Sequence, residues 1–478
     1  MLTKNGVRQY HAVDLDTKKN VGNKAAKKDY GKGEIYRSNL MTKLLILATN
    51  KFATLDSYGM GVEMEGGKPG WYDALNGLPG IFGSSMAETY ELARMMEYML
   101  SKLEQYKVDV KVPHEVETFI QLMNLNLEEY FSGKINHFTY WDKTNEVKEN
   151  YRMVTKWGIE GIEHTLNYDY LIKTLKNWIK FVKEGIEEAI RYGEGICPTY
   201  FAYSLEEYDK VNKTIFPKKF KVIVMPHFLE GPVRFLKMDY KQDIKKDMYQ
   251  KVLHSDLYDK KLSMYKVNES LKDASFELGR AKAFTPGWLE NESIWLHMEY
   301  KYLLETLKSE MYDEFFDDFH KTCIPFLNPD IYGRSPLENS SFIASSANPN
   351  ERIHGKGFVA RLSGSTAEFI QMWQIMMFGK NPFTIKEGEL ALKLEPAIPE
   401  YLIDSRKEIE CTFLGKTHVT YSLHGENALI PGRYHIKNYQ LTYQDGSQIT
   451  INNSVIEGKT AKDVRDGLVV SIEAEIMA

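Results

Sequence analysis

The sequence predicts a mainly α-helical protein that ends in an antiparallel β-sandwich. Apolar residues recur at helical spacing from about residue 85 to 380. After Pro382 the pattern changes to short alternating runs separated by turn pairs such as Pro431-Gly432. Long glycine-rich connections, including residues 59–83, interrupt the helical part, and long connections in a compact domain are usually functional.

Four helices stand out individually, near residues 85–103, 168–192, 294–308 and 366–378. Ser85 and Glu88 form a capping-box pattern ahead of the first helix. Gly193 and Gly379 are placed to end the second and fourth helices. The predicted domains are a leader at 1–35, a helical domain at 36–384, and a β-sandwich at 385–478.

Composition excludes several classes of function. The 478 residues are 43% hydrophobic and 27% charged, with a net charge of −5, which is typical of a globular protein and gives no basic field for nucleic acid. The first 35 residues are locally basic and are expected to be a mobile leader. The apolar run at 44–48 is too short to span a membrane, so no membrane partner is expected.

The three cysteines, Cys197, Cys323 and Cys411, lie far apart and form no CxxC pair. This spacing gives no disulfide framework and no cysteine-based zinc motif. It fits a reducing compartment, and the protein is expected to be cytoplasmic. No metal or organic cofactor is expected.

Residues 70–77, G-W-Y-D-A-L-N-G, are the first candidate functional segment. Glycines frame Trp71 and Asp73, which can present a flat apolar face and a carboxyl group to one small ligand. A tight turn with a buried tryptophan and a capping aspartate would explain the same residues. Spacing alone favours that structural interpretation.

This segment resembles the Asp-Trp-Asn-Asp-x-Leu-Asn motif of the cellobiose-phosphorylase-like family of inverting glycoside phosphorylases. The resemblance implies that Asp73 is the general acid and that Trp71 contacts sugar. Gly70 replaces the first Asp of the motif, and Tyr72 replaces its Asn, so Tyr72 is a substrate-binding candidate that departs from the family pattern. The family fold implied is a six-hairpin (α/α)6 barrel followed by a β-sandwich.

Two further segments follow in family order. Residues 290–297, E-N-E-S-I-W-L-H, are similar to Glu-Asn-Gly-Gly-Ile-x-x-His, which implies that Glu290 lines the reaction centre and His297 binds phosphate. Seven residues are close to two helical turns, so Glu290 and His297 are expected on one side of a helix near its start. A core histidine is the alternative interpretation of His297.

The third segment, residues 361–367, is similar to Trp-Leu-Thr-Gly-Thr-Ala-Ala and implies phosphate ligands at Ser363 and Gly364. Amide and hydroxyl groups at a helix N-terminus suit an anion, although an ordinary Ser cap explains them as well. Arg352 and His354, just upstream, could add positive charge or could be solvated loop residues.

The resemblance is closest to the branch that acts on β-1,2-linked oligoglucans, on residues 62–65, 228–233 and 255–261. The predicted reaction is phosphorolysis that releases α-glucose 1-phosphate, with inorganic phosphate as co-substrate. An anionic phosphate needs no general base, whereas an inverting hydrolase needs a second carboxylate to activate water. An inverting hydrolase on a related barrel and a non-catalytic carbohydrate-binding fragment are the alternatives.

Family members usually carry a large β-sandwich and several helices before the catalytic loop, whereas about seventy residues precede Asp73 here. The resemblance therefore implies a C-terminal portion of a longer enzyme, with the first hairpins of the barrel missing. On that basis the isolated chain is expected to fold but to be largely inactive. Association with an N-terminal partner chain or with further copies of itself is left open.

Overall fold

The computed structural model describes residues 2–3, 6–7, 25–66, 72–359, 365–425 and 427–477. These residues form a mixed α and β structure with twelve α-helices and several mostly antiparallel sheets. Among them, none of the helices combines the length and apolar character that crossing a lipid bilayer requires. The six-hairpin barrel stays a prediction.

The helices are α1 (Leu40–Phe52), α2 (Met86–Tyr106), α3 (His114–Phe131), α4 (His137–Val154), α5 (Tyr168–Tyr192), α6 (Glu230–Leu236), α7 (Gln242–His254), α8 (Leu296–Lys308), α9 (Tyr312–Thr322), α10 (Pro329–Tyr332), α11 (Ser365–Phe378) and α12 (Gly458–Asp466).

The strands are β1 (Leu2–Thr3), β2 (Gly6–Val7), β3 (Val62–Glu63), β4 (Ser84–Ser85), β5 (Val110–Pro113), β6 (Glu163–Leu166), β7 (Tyr200–Val211), β8 (Thr214–Val224), β9 (Tyr258–Asp259), β10 (Met264–Tyr265), β11 (Ile294–Trp295), β12 (Phe342–Ile343), β13 (Gly357–Phe358), β14 (Phe383–Lys386), β15 (Glu389–Leu392), β16 (Glu408–Phe413), β17 (Thr417–His424), β18 (His435–Tyr443), β19 (Gln448–Ile451), β20 (Ile456–Glu457) and β21 (Val469–Met477).

The chain divides into two compact units. Unit 1 comprises residues 1–295 and 342–356, and unit 2 comprises residues 296–341 and 357–478. In unit 2 the end of α11 packs on the C-terminal strands, as the Tyr421 hydroxyl donates to the Met377 carbonyl at 2.7 Å. Helices α8 to α11 therefore belong to the same unit as the C-terminal strands. The domain boundary near residue 384 stays a prediction.

The core of unit 1 is built on α5, whose apolar residues recur along one face for its whole length. Its Trp178 is fully buried, stacks on Phe52 of α1 with ring centroids 4.6 Å apart, and donates its indole N–H to Asn124 of α3 at 2.8 Å. One side chain thus joins three helices. The predicted bounds of α5 and its end at Gly193 are confirmed.

A long β-hairpin corrects the expectation that the regular structure between residues 85 and 380 is helical. Strands β7 and β8 pair antiparallel and extend the sheet β3-β4-β7-β8. The first four residues of β7 are buried, whereas its outer half is largely exposed. The hairpin was missed because the outer half of β7, E-E-Y-D-K-V, is mostly polar and has no regular apolar alternation.

Two other sequence expectations are corrected. Helix α2 begins at Met86 as predicted, but the Ser85 side chain makes no capping hydrogen bond, because Ser85 belongs to strand β4. Helix α8 begins at Leu296 and not at Ile294, since Ile294 and Trp295 pair with β12 as strand β11. Helix α11 starts one residue before the predicted position and ends at Phe378, as expected.

The predicted leader lies partly within the described residues. Residues 25–35 are tied to the segment after α4, since the Asp29 N–H donates to the Glu160 carbonyl at 3.1 Å and the Ile159 N–H donates to the Lys27 carbonyl at 2.9 Å. Residues 8–24 lie outside the described residues.

Unit 2 ends in two sheets that enclose one apolar core. The five-stranded sheet has the order β16-β17-β21-β18-β19, and the three-stranded sheet has the order β14-β15-β20. Side chains from both sheets and from α12 share the core. The sheets are mainly antiparallel as predicted, but β17 and β21 run parallel, because α12 precedes β21 and returns the chain to the same end of the sheet.

Candidate active site

Asp73 lies in the long connection between β3 and β4 in unit 1. It starts a short 3-10 helix, Asp73–Leu75, and its side chain is exposed. The preceding Tyr72 is 1% exposed, and its ring packs edge-on against Phe228 and Trp295 with centroids 5.1 and 5.7 Å away. Tyr72 anchors the loop in this conformation, so that the carboxyl group of Asp73 faces outward. The predicted contact of Tyr72 with substrate stays a prediction.

Gly77 brings the Asp73 loop into direct backbone contact with residues 276–283. Its N–H donates to the Leu278 carbonyl at 3.1 Å, and a Cβ atom at this position would lie 1.9 Å from the carbonyl oxygen of Glu277. The Asn76 side chain adds a second link by accepting from the Arg280 N–H at 3.2 Å. The Asn-Gly pair at the end of the motif therefore fixes the loop by close packing, which explains the need for glycine.

Glu290 lies next to Asp73 although it is distant in sequence. Its Oε2 accepts a hydrogen bond from the Ala74 N–H at 3.2 Å. Burial raises the pKa of Glu290, and the charge of Asp73 raises it further, while the Ala74 N–H partly opposes both. The structure thus places the carboxyl group of Glu290, which is half-buried, against the residue that follows the exposed Asp73.

The expected helical relation between Glu290 and His297 is wrong. Glu290 occupies a turn, and strand β11 separates it from the start of α8 at Leu296. The helical rise and twist therefore do not apply across these seven residues. The strand formed because Ile294 and Trp295 suit the ladder with β12, where Trp295 pairs with Phe342.

His297 is part of a charged cluster on α8 and α11 in unit 2. Its Nε2 lies 3.7 Å from a carboxylate oxygen of Glu368, and Lys301, one turn further along α8, lies 2.5 Å from the other oxygen. Burial lowers the pKa of His297, and the neighbouring Lys301 charge acts in the same direction. Sequence reasoning missed Lys301 and Glu368, although the spacing of four residues from His297 to Lys301 places both on one helix face.

Three predicted site residues lie outside the described residues: Trp71, Ser363 and Gly364. Nearby, His354 is held by two contacts, with Lys261 Nζ at 2.8 Å from its Nδ1 and the Asn348 carbonyl at 2.7 Å from its Nε2. Both ring nitrogens of His354 thus have partners within unit 1, whereas Arg352 is exposed.

A cavity that is partly open to solvent lies in unit 1 beside the same loop. Its walls include residues 63–66 before the Asp73 motif and Pro79, Phe82 and Gly83 after it. Aromatic rings of Trp141 and Phe220 provide apolar faces. The segment at 62–65, which carries part of the sequence resemblance, therefore contributes residues 63–65 to the wall of this cavity.

Charged side chains of α4 complete the cavity. The Trp141 indole N–H donates to Glu63 at 2.6 Å, the Lys148 ammonium lies 4.0 Å from Glu63, and Arg152 lies 3.3 Å from Glu65. The positions 141, 148 and 152 follow helical spacing and share one face of α4. The helical spacing of these three residues was visible in the sequence. It did not identify them as cavity residues, because no motif linked α4 to the Asp73 loop.

Asp56 fixes the start of the loop from inside. It is 3% exposed and accepts from the N–H groups of Met60 and Gly61 at 3.0 and 2.7 Å, and from the hydroxyls of Ser84 and Tyr203 at 2.7 and 2.6 Å. Burial raises the pKa of Asp56, and the donors oppose that effect. The loop is therefore held to strands β4 and β7 through one buried carboxyl group.

Comparison with known proteins yields little. No protein-family model and no curated protein matches this chain. Among solved structures, the GH63 mannosylglycerate hydrolase from Thermus thermophilus, in complex with glucose, aligns over 73% of this chain and 96% of its own, with 9% identity and a TM-score of 0.25. The similarity to this hydrolase is weak and identifies neither a family nor an activity for this chain.

Proposed function

We propose that this chain is an inverting glycoside phosphorylase that cleaves β-linked, and specifically β-1,2-linked, gluco-oligosaccharides with inorganic phosphate. The three sequence motifs that resemble such enzymes support the proposal. The structural observation that carries it is the hydrogen bond from Ala74 to Glu290, which brings the first two motifs together at one pair of carboxyl groups.

In the proposed reaction Asp73 is the general acid. Its carboxyl proton passes to the glycosidic oxygen as the bond between that oxygen and the anomeric carbon breaks. A phosphate oxygen forms a new bond to the anomeric carbon from the opposite face, so a β-linkage gives α-glucose 1-phosphate and a sugar hydroxyl. The exposure of Asp73 fits an acid that must reach a substrate oxygen and be reprotonated from solvent.

Glu290 is proposed to bind sugar hydroxyls and to hold the loop of Asp73. With one oxygen fixed by the Ala74 N–H, the other carboxylate oxygen has a defined direction. A carboxylate accepts hydrogen bonds, and a carboxyl group that carries its proton can also donate one. A sugar hydroxyl can use either interaction, so Glu290 suits substrate positioning without a further catalytic base.

The cavity beside the loop is the proposed site for sugar units on the leaving-group side. Sugar rings bind through stacking of their C–H faces on aromatic rings and through hydrogen bonds from their hydroxyls. Trp141 supplies a ring held in place by Glu63, while Glu65 and Arg152 supply polar groups. A Trp141→Ala variant should therefore raise the KM for oligosaccharide more than the KM for phosphate.

Phosphate is proposed to bind at His297, Ser363 and Gly364. Lys301 is added to this set, because it shares a face of α8 and the carboxylate of Glu368 with His297. The Lys301 ammonium supplies a positive charge, and the imidazole of His297 can donate a hydrogen bond to an anion from a ring N–H.

One observation keeps an inverting hydrolase as the second candidate. Glu290, which accepts from the residue after Asp73, would be the second carboxyl group that acid and base catalysis of hydrolysis requires. A phosphorylase needs only the acid, whereas a hydrolase would use Glu290 to activate water. A third alternative is a carbohydrate-binding protein without turnover.

The test is to incubate the purified protein with β-1,2-, β-1,3- and β-1,4-linked gluco-oligosaccharides, with and without phosphate. Release of glucose 1-phosphate that requires phosphate supports the proposal, and preference for the β-1,2 series supports the linkage. Release of free glucose at the same rate without phosphate identifies a hydrolase. Because this chain alone is expected to be largely inactive, the assay is repeated with an N-terminal partner chain added. Oligosaccharide binding by calorimetry without turnover in either case identifies a binding protein and refutes the proposed activity.

A further inference from the structure

Three metal-ligand side chains meet at the start of α3. His114 is the first residue of the helix, Glu117 follows one turn later, and His164 lies on strand β6. One ligand atom from each of the three lies within 4.8 Å of the other two. None of these residues belongs to the proposed active site, and no sequence motif singled them out.

The backbone holds the three positions in a fixed relation. Strands β5 and β6 pair antiparallel with Val112 opposite His164, two residues before His114. The His114 N–H donates to the Ile162 carbonyl at 2.9 Å, which joins the start of α3 to the residue that precedes β6. His114 and Glu117, three residues apart, share one face of the helix. The arrangement is thus set by secondary structure and not by flexible loops.

A simple ion pair explains only part of this group. The Nδ1–H of His164 contacts a carboxylate oxygen of Glu117, which satisfies those two residues. The His114 ring lies 5.1 Å from the His164 ring, and its Nδ1 is buried without a hydrogen-bond partner among the described residues. Buried polar atoms usually have partners, so the second histidine needs another explanation.

We propose that His114, Glu117 and His164 form a binding site for Zn2+. Two imidazole nitrogens and one carboxylate oxygen are a known zinc ligand set that leaves a fourth position for water. Imidazole ligands disfavour Ca2+ and Mg2+, which prefer oxygen. In a tetrahedral site ligand atoms lie about 3.4 Å apart, so side-chain rotations of the order of 1 Å bring the group to bonding distance. Zinc would replace the proton between His164 and Glu117 and tie α3 to β6.

Metal access and removal are feasible because the site lies near the surface. The side chain of His164 is 43% exposed, and that of Glu117 is 19% exposed. A bound ion can therefore exchange with solvent, and substitution of His164 leaves the core of unit 1 in place. The sequence did not indicate the site, because fifty residues separate His114 from His164 and the cysteine spacing had suggested no zinc motif.

The experiment measures Zn2+ binding to the full chain after treatment with a chelator, by competition with a chromophoric zinc indicator. We expect one equivalent of tightly bound Zn2+ in the native protein. Substitution of a residue that only hydrogen-bonds to a metal ligand weakens metal binding by about 10–100-fold. His164→Ala and Glu117→Gln each remove a ligand itself, so each should weaken Zn2+ binding by at least about 100-fold. The control is His254→Ala, an exposed histidine on α7 that contacts only its own helix in the hydrogen bonds described and should bind like the native protein.

Two results would overturn the site. If the native protein binds Zn2+ no more tightly than His164→Ala does, the proposed site does not exist. If the native protein and both ligand variants bind Zn2+ with equal affinity, the metal lies elsewhere. Thermal unfolding of the metal-free variants verifies their folding, and Glu117→Gln preserves the test if His164→Ala does not fold. Substitution with Co2+ gives an independent readout, since its visible spectrum should change in both ligand variants and stay the same in His254→Ala.

Discussion

Gly77→Ala offers a direct test of the idea that the Asp73 loop is positioned by close backbone packing. The new Cβ atom would lie 1.9 Å from the Glu277 carbonyl oxygen, whereas real Cβ atoms essentially never approach closer than 3.0 Å. The loop or the opposing backbone must therefore move by at least about 1 Å. The clash involves main chain on both sides, so rotation of a side chain cannot relieve it.

The displacement has two measurable consequences. Overpacking of this kind costs about 1–3 kcal/mol of stability, which should lower the thermal unfolding midpoint by a few degrees. A shift of about 1 Å in a catalytic group can reduce the rate about 100-fold, so turnover should fall by that order in phosphorolysis assays. The φ of Gly77 is −90°, within the range of ordinary residues, so the expected effect is steric and not a result of lost backbone freedom.

Gly80→Ala is the matched control in the same loop. A Cβ atom there has no neighbour within 4 Å, so the variant should keep native turnover and stability or gain slightly, as alanine reduces the freedom of the unfolded chain. If Gly77→Ala behaves like Gly80→Ala in both assays, the loop is not fixed by this contact. If Gly77→Ala loses stability but keeps full turnover, the loop does not position the acid.

Three further predictions concern the carboxyl pair and the histidine. Asp73→Asn should fold normally, since Asp73 is exposed, and lose about 10²–10⁴-fold in turnover; near-normal rates would contradict its role as acid. Because burial and Asp73 raise the pKa of Glu290, its protonated form is favoured in the folded state, and its contribution to stability is lost as pH rises through that pKa. Glu290→Gln keeps an acceptor for the Ala74 N–H, so in thermal unfolding it should be at least as stable as the native protein at pH 7. At pH 4 this advantage over the native protein should be lost. Glu290→Ala should be less stable than Glu290→Gln at both pH values. His297→Ala should raise the KM for phosphate more than the KM for oligosaccharide. Since burial lowers the pKa of His297, the stability of the native protein should fall as pH drops below about 6.5, and the variant should lose less stability over that range. An equal rise in both KM values would favour a structural histidine.

The helices were the part of the fold most accessible from sequence. Helix α5 has apolar residues on one face over 25 residues and a terminal glycine, so its bounds could be predicted from periodicity alone. The start of α8 was misjudged because the apolar pair Ile294 and Trp295 fits a helix and a strand equally well. Pairing with β12, a distant segment, decided between them. Short apolar runs are ambiguous until their partners are known.

The candidate site, like the fold, could be predicted only in part from the sequence. Motif similarity selected Asp73 and Glu290 separately, and their proximity arises from the Gly77 contact and the Ala74 hydrogen bond, which sequence spacing does not encode. Tyr72 occupies a motif position but has a buried ring, because three aromatic residues from other segments surround it. A motif therefore indicates which residues share a loop, and the packing of that loop decides which side chains can reach a ligand.

Asp73 and Glu290 carry similar carboxyl groups, but they differ in their exposure to solvent. Asp73 lies at the exposed start of a 3-10 helix, with its neighbour Tyr72 held in the interior. Glu290 is half-buried against the same loop, and its pKa is raised by burial and by the adjacent charge. Burial favours a neutral carboxyl group and exposure favours exchange of protons with solvent, so in the proposed reaction Glu290 would bind sugar and Asp73 would transfer the proton. Any change that shifts the loop, as Gly77→Ala should, alters both functions together, whereas changes at either carboxyl group should affect them separately.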